Sequence, residues 1–134
     1  WLRLRQEIAA ADAVLFVTPE YNRGLPAVLK NAIDVASRPY GQSKWNGKPG
    51  AVISVTIGSQ GAMLANHQLR QSLVFLNVPT LQQPEAYISG ALGLFDDRGE
   101  LVNEATTEFL RAYGRAFEAW IDRIIETVPA AKAA

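Results

Sequence analysis

The sequence contains no cysteine, and it has one histidine and one methionine among 134 residues. The absence of cysteine excludes a disulfide framework, thiol catalysis and a metal site with cysteine ligands, and it fits a reducing cytoplasm. Because 13 basic side chains balance 13 acidic ones, the formal charge is zero. A neutral chain offers no electrostatic basis for binding nucleic acid or an acidic membrane surface. The longest apolar runs, such as residues 51–55, are far too short to span a bilayer.

The composition is that of a folded domain. Hydrophobic residues make up 49% of the chain and charged residues 19%, so a packed core is available and disorder is not expected. A chain of 134 residues fits one domain. It begins at Trp1 rather than at methionine, which we interpret as a trimmed or partial chain.

Residues 13–22, AVLFVTPEYN, are the first organising stretch. Residues 13–17 form an apolar run without polar alternation, which is typical of a strand buried on both faces of a parallel sheet. Ligands of open α/β sheets bind beyond the carboxyl ends of the strands. The residues that follow this strand are therefore candidates for a site, although an ordinary strand-to-helix connection explains them about equally well. These candidates are Pro19, Glu20, Tyr21 and Asn22.

A second organising loop follows a second apolar run. Residues 51–56, AVISVT, predict another buried strand, and they lead into a loop with Gly58 and Gly61. Glycines let the backbone approach a ligand and turn N–H groups towards it. Since neighbouring parallel strands lie about 4.8 Å apart, the two loops are expected to line one crevice. Such a crevice suits a flat ligand but does not identify it.

Helical patterns separate these strands. The spacing of apolar residues predicts helices over residues 1–11, from Pro26 through Ala36, over residues 62–76, and from Asn103 as N-cap to residue 127. A weaker third strand is expected within residues 80–88, and a frayed tail over residues 129–134. This alternation predicts a parallel sheet with right-handed crossovers.

Two further features of the loops do not indicate a functional site. Trp45 lies in a long loop and is either an interface residue or folded back on its own domain. Asp96 and Asp97 lack the spacing of a calcium loop, so we interpret them as a solvated turn.

The segment TPEYNRGLPAVLKNAID, residues 18–34, closely resembles the NADPH-dependent FMN reductase family, which includes bacterial quinone, chromate and azo-dye reductases. The resemblance continues through residues 54–70 and 83–88. It implies a flavodoxin-like three-layer α/β/α sandwich with a parallel sheet. The family opens with a strand and a phosphate-binding loop that nothing before Trp1 supplies. We therefore expect residues 1–134 to be a partial, N-terminally truncated flavodoxin-like FMN reductase domain with about three strands and four helices.

The resemblance also implies a site and a chemistry. Two loops would flank the flavin ring of FMN, with Pro19, Glu20, Tyr21 and Asn22 on one side and Gly58, Ser59, Gln60 and Gly61 on the other. Hydride would pass from NAD(P)H through the flavin to a quinone or a similar small acceptor. This chemistry needs no catalytic side chain and no metal. A cytoplasmic homodimer or homotetramer that binds neither nucleic acid nor membrane is expected.

Individual side chains near these loops have alternative interpretations. Glu20 is a general acid, or more simply a solvated or subunit-contact residue, and Tyr21 stacks near the flavin or lies at an interface. One interpretation of Arg23, which is not the favoured one, is that it attracts the phosphate of NADPH. His67 is interpreted as a helix-surface residue, and Glu85 matches a family segment near subunit contacts.

Two other functions compete with the reductase. A flavodoxin-type electron carrier shares the fold, but the neutral charge and the PEYN motif of residues 19–22 favour the reductase. A non-enzymatic oligomerising fragment without FMN is supported by the missing phosphate loop.

Overall fold

The computed structural model describes residues 1–127. Its elements follow in the order α1 (Leu2–Ala10), β1 (Val14–Thr18), α2 (Ala27–Ala36), β2 (Gly50–Val55), α3 (Met63–Phe75), β3 (Ala86–Ile88), a short 3₁₀ helix (Ala91–Gly93) and α4 (Glu104–Thr127). The predicted alternation of helices and strands is confirmed, whereas the predicted frayed tail lies outside the described residues. Through residue 127, no helix is both long enough and apolar enough to cross a membrane.

The three strands form one parallel sheet in the order β1-β2-β3. Thr18 at the end of β1 is in register with Ser54 of β2, and Val55 is in register with Ile88 at the end of β3. The carboxyl ends of all three strands therefore lie at one edge of the sheet. The loops that begin at residues 19 and 56 leave from this edge.

Helices lie on both faces of the sheet and make three layers. One core cluster joins β1 and β2 to the first three helices, and it consists of Ile8, Phe16, Ile33, Ala36, Trp45, Val52, Leu69, Leu73 and Val78. The second cluster lies under α4, with Ala51, Leu81, Ala86 and Tyr113 at its centre. Apolar area removed from water in these clusters is the main stabilising term.

Strand β1 departs from the sequence prediction, because it is buried on one face only. Phe16 and Thr18 are buried, but Leu15 is 45% exposed and Val17 is 60% exposed. Helix α4 packs against the face of the sheet that holds Ile53 and Ala51, towards β3. It does not reach the outer half of that face, so the prediction of a strand buried on both faces is wrong within residues 1–127.

Tyr113 of α4 supplies hydrogen bonds to β2 at a residue that β3 does not pair with. β3 pairs with β2 only from Ile53 onwards. At the preceding residue, the Tyr113 hydroxyl accepts the N–H of Val52 at 3.1 Å and donates to the Val52 carbonyl at 2.9 Å. A buried side chain thereby satisfies a backbone donor and acceptor that would otherwise be orphaned.

Trp45 is folded back on its own domain. Its side chain is 3% exposed, and its Nε1–H donates to the Ile33 carbonyl at 2.9 Å. Of the two interpretations drawn from the sequence, the packing one therefore holds in this chain. The N-cap prediction for Asn103 is confirmed as well, since its Oδ1 accepts the N–H of Thr106 at 2.9 Å.

Candidate functional site

The loop after β1 closes in a tight turn. Tyr21 and Gly24 exchange two backbone hydrogen bonds, each 3.0 Å long. Between them, Asn22 and Arg23 both have positive φ angles, 50° and 66°, which is the pattern of a type I′ turn. A left-handed conformation is costly for arginine, and such residues concentrate at functional sites.

Glu20 joins this loop to helix α3. Its side chain is 8% exposed, and its Oε2 accepts the backbone N–H of Ala65 at 3.1 Å. The N-cap residue of α3, Ala62, provides no side-chain cap. Glu20 therefore satisfies a helix N-terminal donor from another loop, where the helix dipole favours a carboxylate. The interpretation of Glu20 as a solvated residue is wrong.

Arg23 bridges the two loops. Its Nη1 donates to Gln60 Oε1 at 2.6 Å and to Glu20 Oε1 at 3.2 Å. The side chain nevertheless remains 67% exposed. The guanidinium therefore lies at the rim, in contact with both loops and open to solvent.

The loop after β2 is held at its start and at its tip. The N–H of Gly58 donates to Thr56 Oγ1 at 3.3 Å, and the Gly58 carbonyl accepts the N–H of Gly90 at 3.0 Å. The hydroxyl of Ser89 donates to the Ser59 carbonyl at 2.9 Å. These bonds fix the loop while its tip stays exposed to solvent.

Gly61 meets a steric demand at the end of this loop. Its φ is +57°, and a Cβ at this position would lie 2.5 Å from Tyr87 Cβ and 2.7 Å from the Tyr87 carbonyl carbon. The hydroxyl of Ser54 also donates to the Gly61 carbonyl at 2.7 Å. Glycine is therefore required here by a close approach to β3 as well as by the backbone angle.

The two loops enclose one small cavity of about 210 Å³, which is lined by Glu20, Arg23, Thr56, Gly58, Ser59, Gln60 and Ala62. The structure thus brings together four of the eight residues predicted from the sequence: Glu20, Gly58, Ser59 and Gln60. The other four, Pro19, Tyr21, Asn22 and Gly61, do not line it. Pro19, Tyr21 and Asn22 are exposed at the outer loop, and Gly61 is buried beneath the cavity.

The site list drawn from the sequence omits Arg23, Thr56 and Ala62. The position of Thr56, directly after a predicted strand, was an available signal for it. Ala62 has a φ of +56° and is 1% exposed, and no pattern in the sequence indicates either property. Arg23 lines the cavity because the turn directs it back towards Gln60, which depends on the tertiary structure.

A separate polar cluster lies on α3 and β3. The Tyr87 hydroxyl donates to Glu85 Oε1 at 2.7 Å and contacts His67 Nε2 at 2.9 Å. Burial, reinforced by the hydrogen bond to Glu85, raises the pKa of Tyr87 to about 12. His67 is exposed on the helix surface as predicted. Within residues 1–127, no three histidine, aspartate or glutamate side chains are grouped so as to hold a metal ion.

The geometry defines a class of protein. A parallel sheet with helices on both faces and a cavity beyond the carboxyl ends of its strands is typical of α/β proteins that bind nucleotide cofactors. The family described as NADPH-dependent FMN reductase matches residues 1–93. The chain belongs to this family, and its fold is the flavodoxin-like α/β/α sandwich expected from the resemblance.

Individual relatives agree with this assignment. The chain is 60% identical over 121 residues to a quinone reductase of Pseudomonas putida, covering 90% of this chain. It is 45% identical over 117 residues to a 2-hydroxy-1,4-benzoquinone reductase of a Burkholderia species, covering 87% of this chain. The chain spans 64% of the length of each of these two curated relatives.

A solved structure supports the fold directly. The flavoenzyme NAD(P)H:(acceptor) oxidoreductase FerB from Paracoccus denitrificans superposes with a TM-score of 0.84 at 44% sequence identity. The match covers 91% of this chain and 67% of the FerB chain.

Proposed function

We propose that the whole protein is an FMN-dependent NAD(P)H oxidoreductase that reduces quinones or similar small electron acceptors. Family membership and relatives named quinone reductase support this proposal. In the balanced reaction, NAD(P)H, a proton and a quinone give NAD(P)⁺ and a hydroquinone. When bound, FMN would supply the chemistry of hydride transfer between NAD(P)H and the acceptor.

The lining of the cavity fits a flat heterocycle with polar edges. At Gly58, an added Cβ would have only Thr56 Oγ1 within 4 Å, at 3.9 Å. The backbone there faces open space, and a planar ring can approach it closely. Ser59 and Gln60 offer a hydroxyl and an amide at the same rim. These groups can hydrogen-bond the carbonyl and N–H edge of a flavin.

We assign the cofactor contacts to the two loops named in the sequence analysis. Glu20, Gly58, Ser59 and Gln60 have the strongest support, because they line the cavity. Pro19, Tyr21 and Asn22 would contact the ring from the outer loop, and Gly61 would act by shaping the loop. Both contacts of Glu20 use its oxygens as acceptors, so we assign it a positioning role rather than a general-acid role.

The observation that carries the proposal is the bridge from Arg23 to Gln60. It joins the loops after β1 and β2 around one cavity. Loops that opened towards opposite sides of the sheet would offer no shared slot for a planar cofactor.

The test uses the full-length protein purified from its host. We expect a flavin absorption spectrum. Under anaerobic conditions, NADPH or NADH should be oxidised over many turnovers only when 1,4-benzoquinone is supplied, because without an acceptor the bound flavin takes up one hydride and stops. A Gly58→Val variant, which fills the open space at the loop, should weaken FMN binding at least about tenfold in a flavin fluorescence titration. Gly93→Val is the matched control, because Gly93 also has open space around its Cβ position but lies outside the cavity.

The competing functions predict other results. A flavodoxin-type carrier would bind flavin but would not oxidise NADH or NADPH in the presence of quinone. A non-enzymatic oligomerising fragment would show no flavin absorbance and a stable defined oligomer. Either pattern in the full-length protein would contradict the proposal.

We further propose a cytoplasmic homodimer or homotetramer that binds neither nucleic acid nor membrane, of which residues 1–134 are a partial domain. The lack of cysteine and the zero formal charge support the compartment and the absent partners. The exposed Leu15 and Val17 support a further packing partner for β1. Sedimentation equilibrium of the full-length protein tests the oligomer, and a monomer at micromolar concentration would contradict it.

A further inference from the structure

A buried hydrogen-bond network lies beneath the loop after β2 and ends on the backbone of that loop. Arg70 Nε donates to Asn66 Oδ1 at 2.8 Å, and Asn66 Nδ2 donates to Ser54 Oγ at 3.1 Å. The Ser54 hydroxyl in turn donates to the Gly61 carbonyl at 2.7 Å. Because Ser54 and Asn66 are both 0% exposed, water does not compete for these hydrogen bonds.

The cation at one end fixes the direction of every hydrogen bond in this network. A guanidinium can only donate, so Asn66 must turn its oxygen to Arg70 and its NH₂ group to Ser54. Ser54 has a single hydroxyl proton, which goes to the Gly61 carbonyl at 2.7 Å rather than to the Ala86 carbonyl at 3.4 Å. The Gly61 carbonyl is therefore held towards the core.

The orientation of this carbonyl sets the orientation of the next N–H group. The peptide bond between Gly61 and Ala62 is trans, and the C=O and N–H of a trans peptide point in opposite directions. Since the Gly61 carbonyl faces Ser54, the N–H of Ala62 faces away from Ser54. Ala62 lines the cavity between the two loops, so the cavity is the space that this N–H faces.

The N–H of Ala62 lacks a partner within the described part of the chain. Ala62 is 1% exposed, and its N–H donates to no acceptor atom among residues 1–127. The next N–H, that of Met63, already donates to the Gln60 carbonyl at 3.1 Å. A buried N–H without a partner is costly, and an acceptor atom of a bound ligand would remove that cost.

We propose that Ser54 and Asn66 are positioning residues that direct the N–H of Ala62 to an acceptor atom at the edge of the flavin ring. The inference rests on the proposed function, and it concerns two residues that lie beneath the cavity and do not touch the cofactor. The flavin edge carries ring nitrogens and carbonyl oxygens that accept hydrogen bonds. A donor that is fixed before the cofactor arrives needs less ordering when the cofactor binds.

Asn66→Asp tests the direction of the network with almost no change in side-chain volume. The introduced carboxylate still accepts from Arg70, but it cannot donate to Ser54. It competes with the Gly61 carbonyl for the Ser54 proton instead. In a flavin fluorescence titration of the full-length protein, stripped of bound FMN, we expect the Kd for FMN to weaken about tenfold, the size of one hydrogen bond. An unchanged Kd would overturn the inference.

Tyr113→Phe is the control for a general loss of stability. It also removes a buried hydroxyl from a backbone carbonyl of β2, but at Val52, which does not line the cavity. Asn66→Asp gains a carboxylate beside Arg70, whose Nη2 is buried and has no partner among residues 1–127. We therefore expect Tyr113→Phe to unfold at the lower urea concentration and yet to bind FMN like the wild type. An equal loss of FMN affinity in both variants would assign the effect to stability and would overturn the inference.

Ser54→Ala removes the donor to the Gly61 carbonyl directly. We expect it to weaken the Kd for FMN by about the same factor as Asn66→Asp, because both changes take the same proton from the same carbonyl. Wild-type affinity in Ser54→Ala would mean that the Gly61 carbonyl does not need this hydrogen bond, and the inference would fail.

Amide hydrogen exchange, followed by NMR, tests the contact at Ala62 without turnover. Binding of FMN to the wild-type protein should slow exchange of the Ala62 N–H at least about tenfold, since this N–H gains a partner. The Met63 N–H already has a partner, so its exchange should slow much less. Equal slowing at both positions would indicate general stabilisation and would contradict the contact.

The outcomes also separate this inference from the proposed function. If the wild-type protein binds FMN but reduces no quinone, the reductase proposal fails, and the comparison of Kd values still decides the roles of Ser54 and Asn66. If the wild-type protein binds no FMN, both proposals fail. If it reduces quinones and the variants bind FMN as tightly as the wild type, only this inference fails.

Discussion

The carboxylate of Glu20 accepts the backbone N–H of Ala65 across 45 positions of sequence, at 3.1 Å. A helix leaves its first N–H groups without partners inside the helix. In α3 the partner comes from the loop after β1 rather than from the N-cap residue, Ala62. The same hydrogen bond therefore stabilises the helix and sets the position of one wall of the cavity.

Removal of the Glu20 carboxylate should destabilise the fold. We expect Glu20→Ala to lower the free energy of unfolding by about 1–2 kcal/mol, the usual cost of losing a helix cap. Glu20→Gln keeps an acceptor for Ala65 and should lose less. Urea denaturation followed by circular dichroism measures both. Glu108→Ala, at an exposed ion pair on α4, should change little, and an equally small effect at Glu20 would contradict the capping role.

Replacing Gly61 should be far more damaging than replacing another glycine. A Cβ at Gly61 would lie 2.5 Å from Tyr87 Cβ, at a φ of +57°. Gly61→Ala should therefore lower the free energy of unfolding by about 3 kcal/mol or more. Gly114→Ala, in helix α4 with nothing near its Cβ position, should raise it by about 0.5–1 kcal/mol. Thermal unfolding of the two variants should shift in opposite directions.

The Tyr113 hydroxyl should contribute more to the free energy of unfolding than an exposed tyrosine hydroxyl does. Tyr113→Phe removes the partner of both the N–H and the carbonyl of Val52, which are buried in the sheet. We expect a loss of about 2 kcal/mol in the free energy of unfolding, because buried polar groups without partners are costly. Tyr40→Phe makes the same change on an exposed side chain. If both variants unfold at the same urea concentration, the hydroxyl does not support the sheet.

Tyr87 should make the protein less stable at alkaline pH. Burial and the hydrogen bond to Glu85 raise its pKa in the folded protein from 10.0 to about 12. The unfolded chain therefore releases this proton at a lower pH than the folded chain. Stability from Tyr87 is complete below about pH 10 and is lost as the pH rises towards about 12.

The Tyr87 prediction is tested with two substitutions. Phenolate absorbance should show one tyrosine fewer titrating near pH 12 in Tyr87→Phe. Urea unfolding at pH 9 and at pH 11 should show a smaller decline for Tyr87→Phe than for the wild-type protein, with Tyr40→Phe as the control. An unchanged decline in Tyr87→Phe would contradict the raised pKa.

Much of the fold could be predicted from the sequence. The apolar run before Pro19 predicts β1, and the side chain of Asn103 predicts the start of α4, because strand patterning and N-capping are local properties. The exposure of Leu15 and Val17 could not be predicted. It depends on how far α4 reaches across the sheet, which involves residues about a hundred positions away.

The candidate site could also be predicted only in part. Both loops could be located from the sequence, since proline and glycine end strands through their own backbone geometry. The residue contacts that join the two loops into one site could not be predicted from the sequence. Arg23 contacts Gln60 across 37 positions of sequence, and Glu20 contacts Ala65 across 45. Exposure of Tyr21 and burial of Glu20 are also opposite to what their residue types suggest.

By itself, the sequence determined the order of helices and strands, the parallel sheet, the family and the two loops at its carboxyl edge, since each of these follows from local patterning or a shared motif. Only the tertiary structure decided which loop residues line the cavity, that Glu20 caps α3, and that Tyr113 completes the sheet at Val52. The physical reason is that these contacts depend on the angles at which whole helices pack on the sheet, and no local stretch of sequence encodes such an angle.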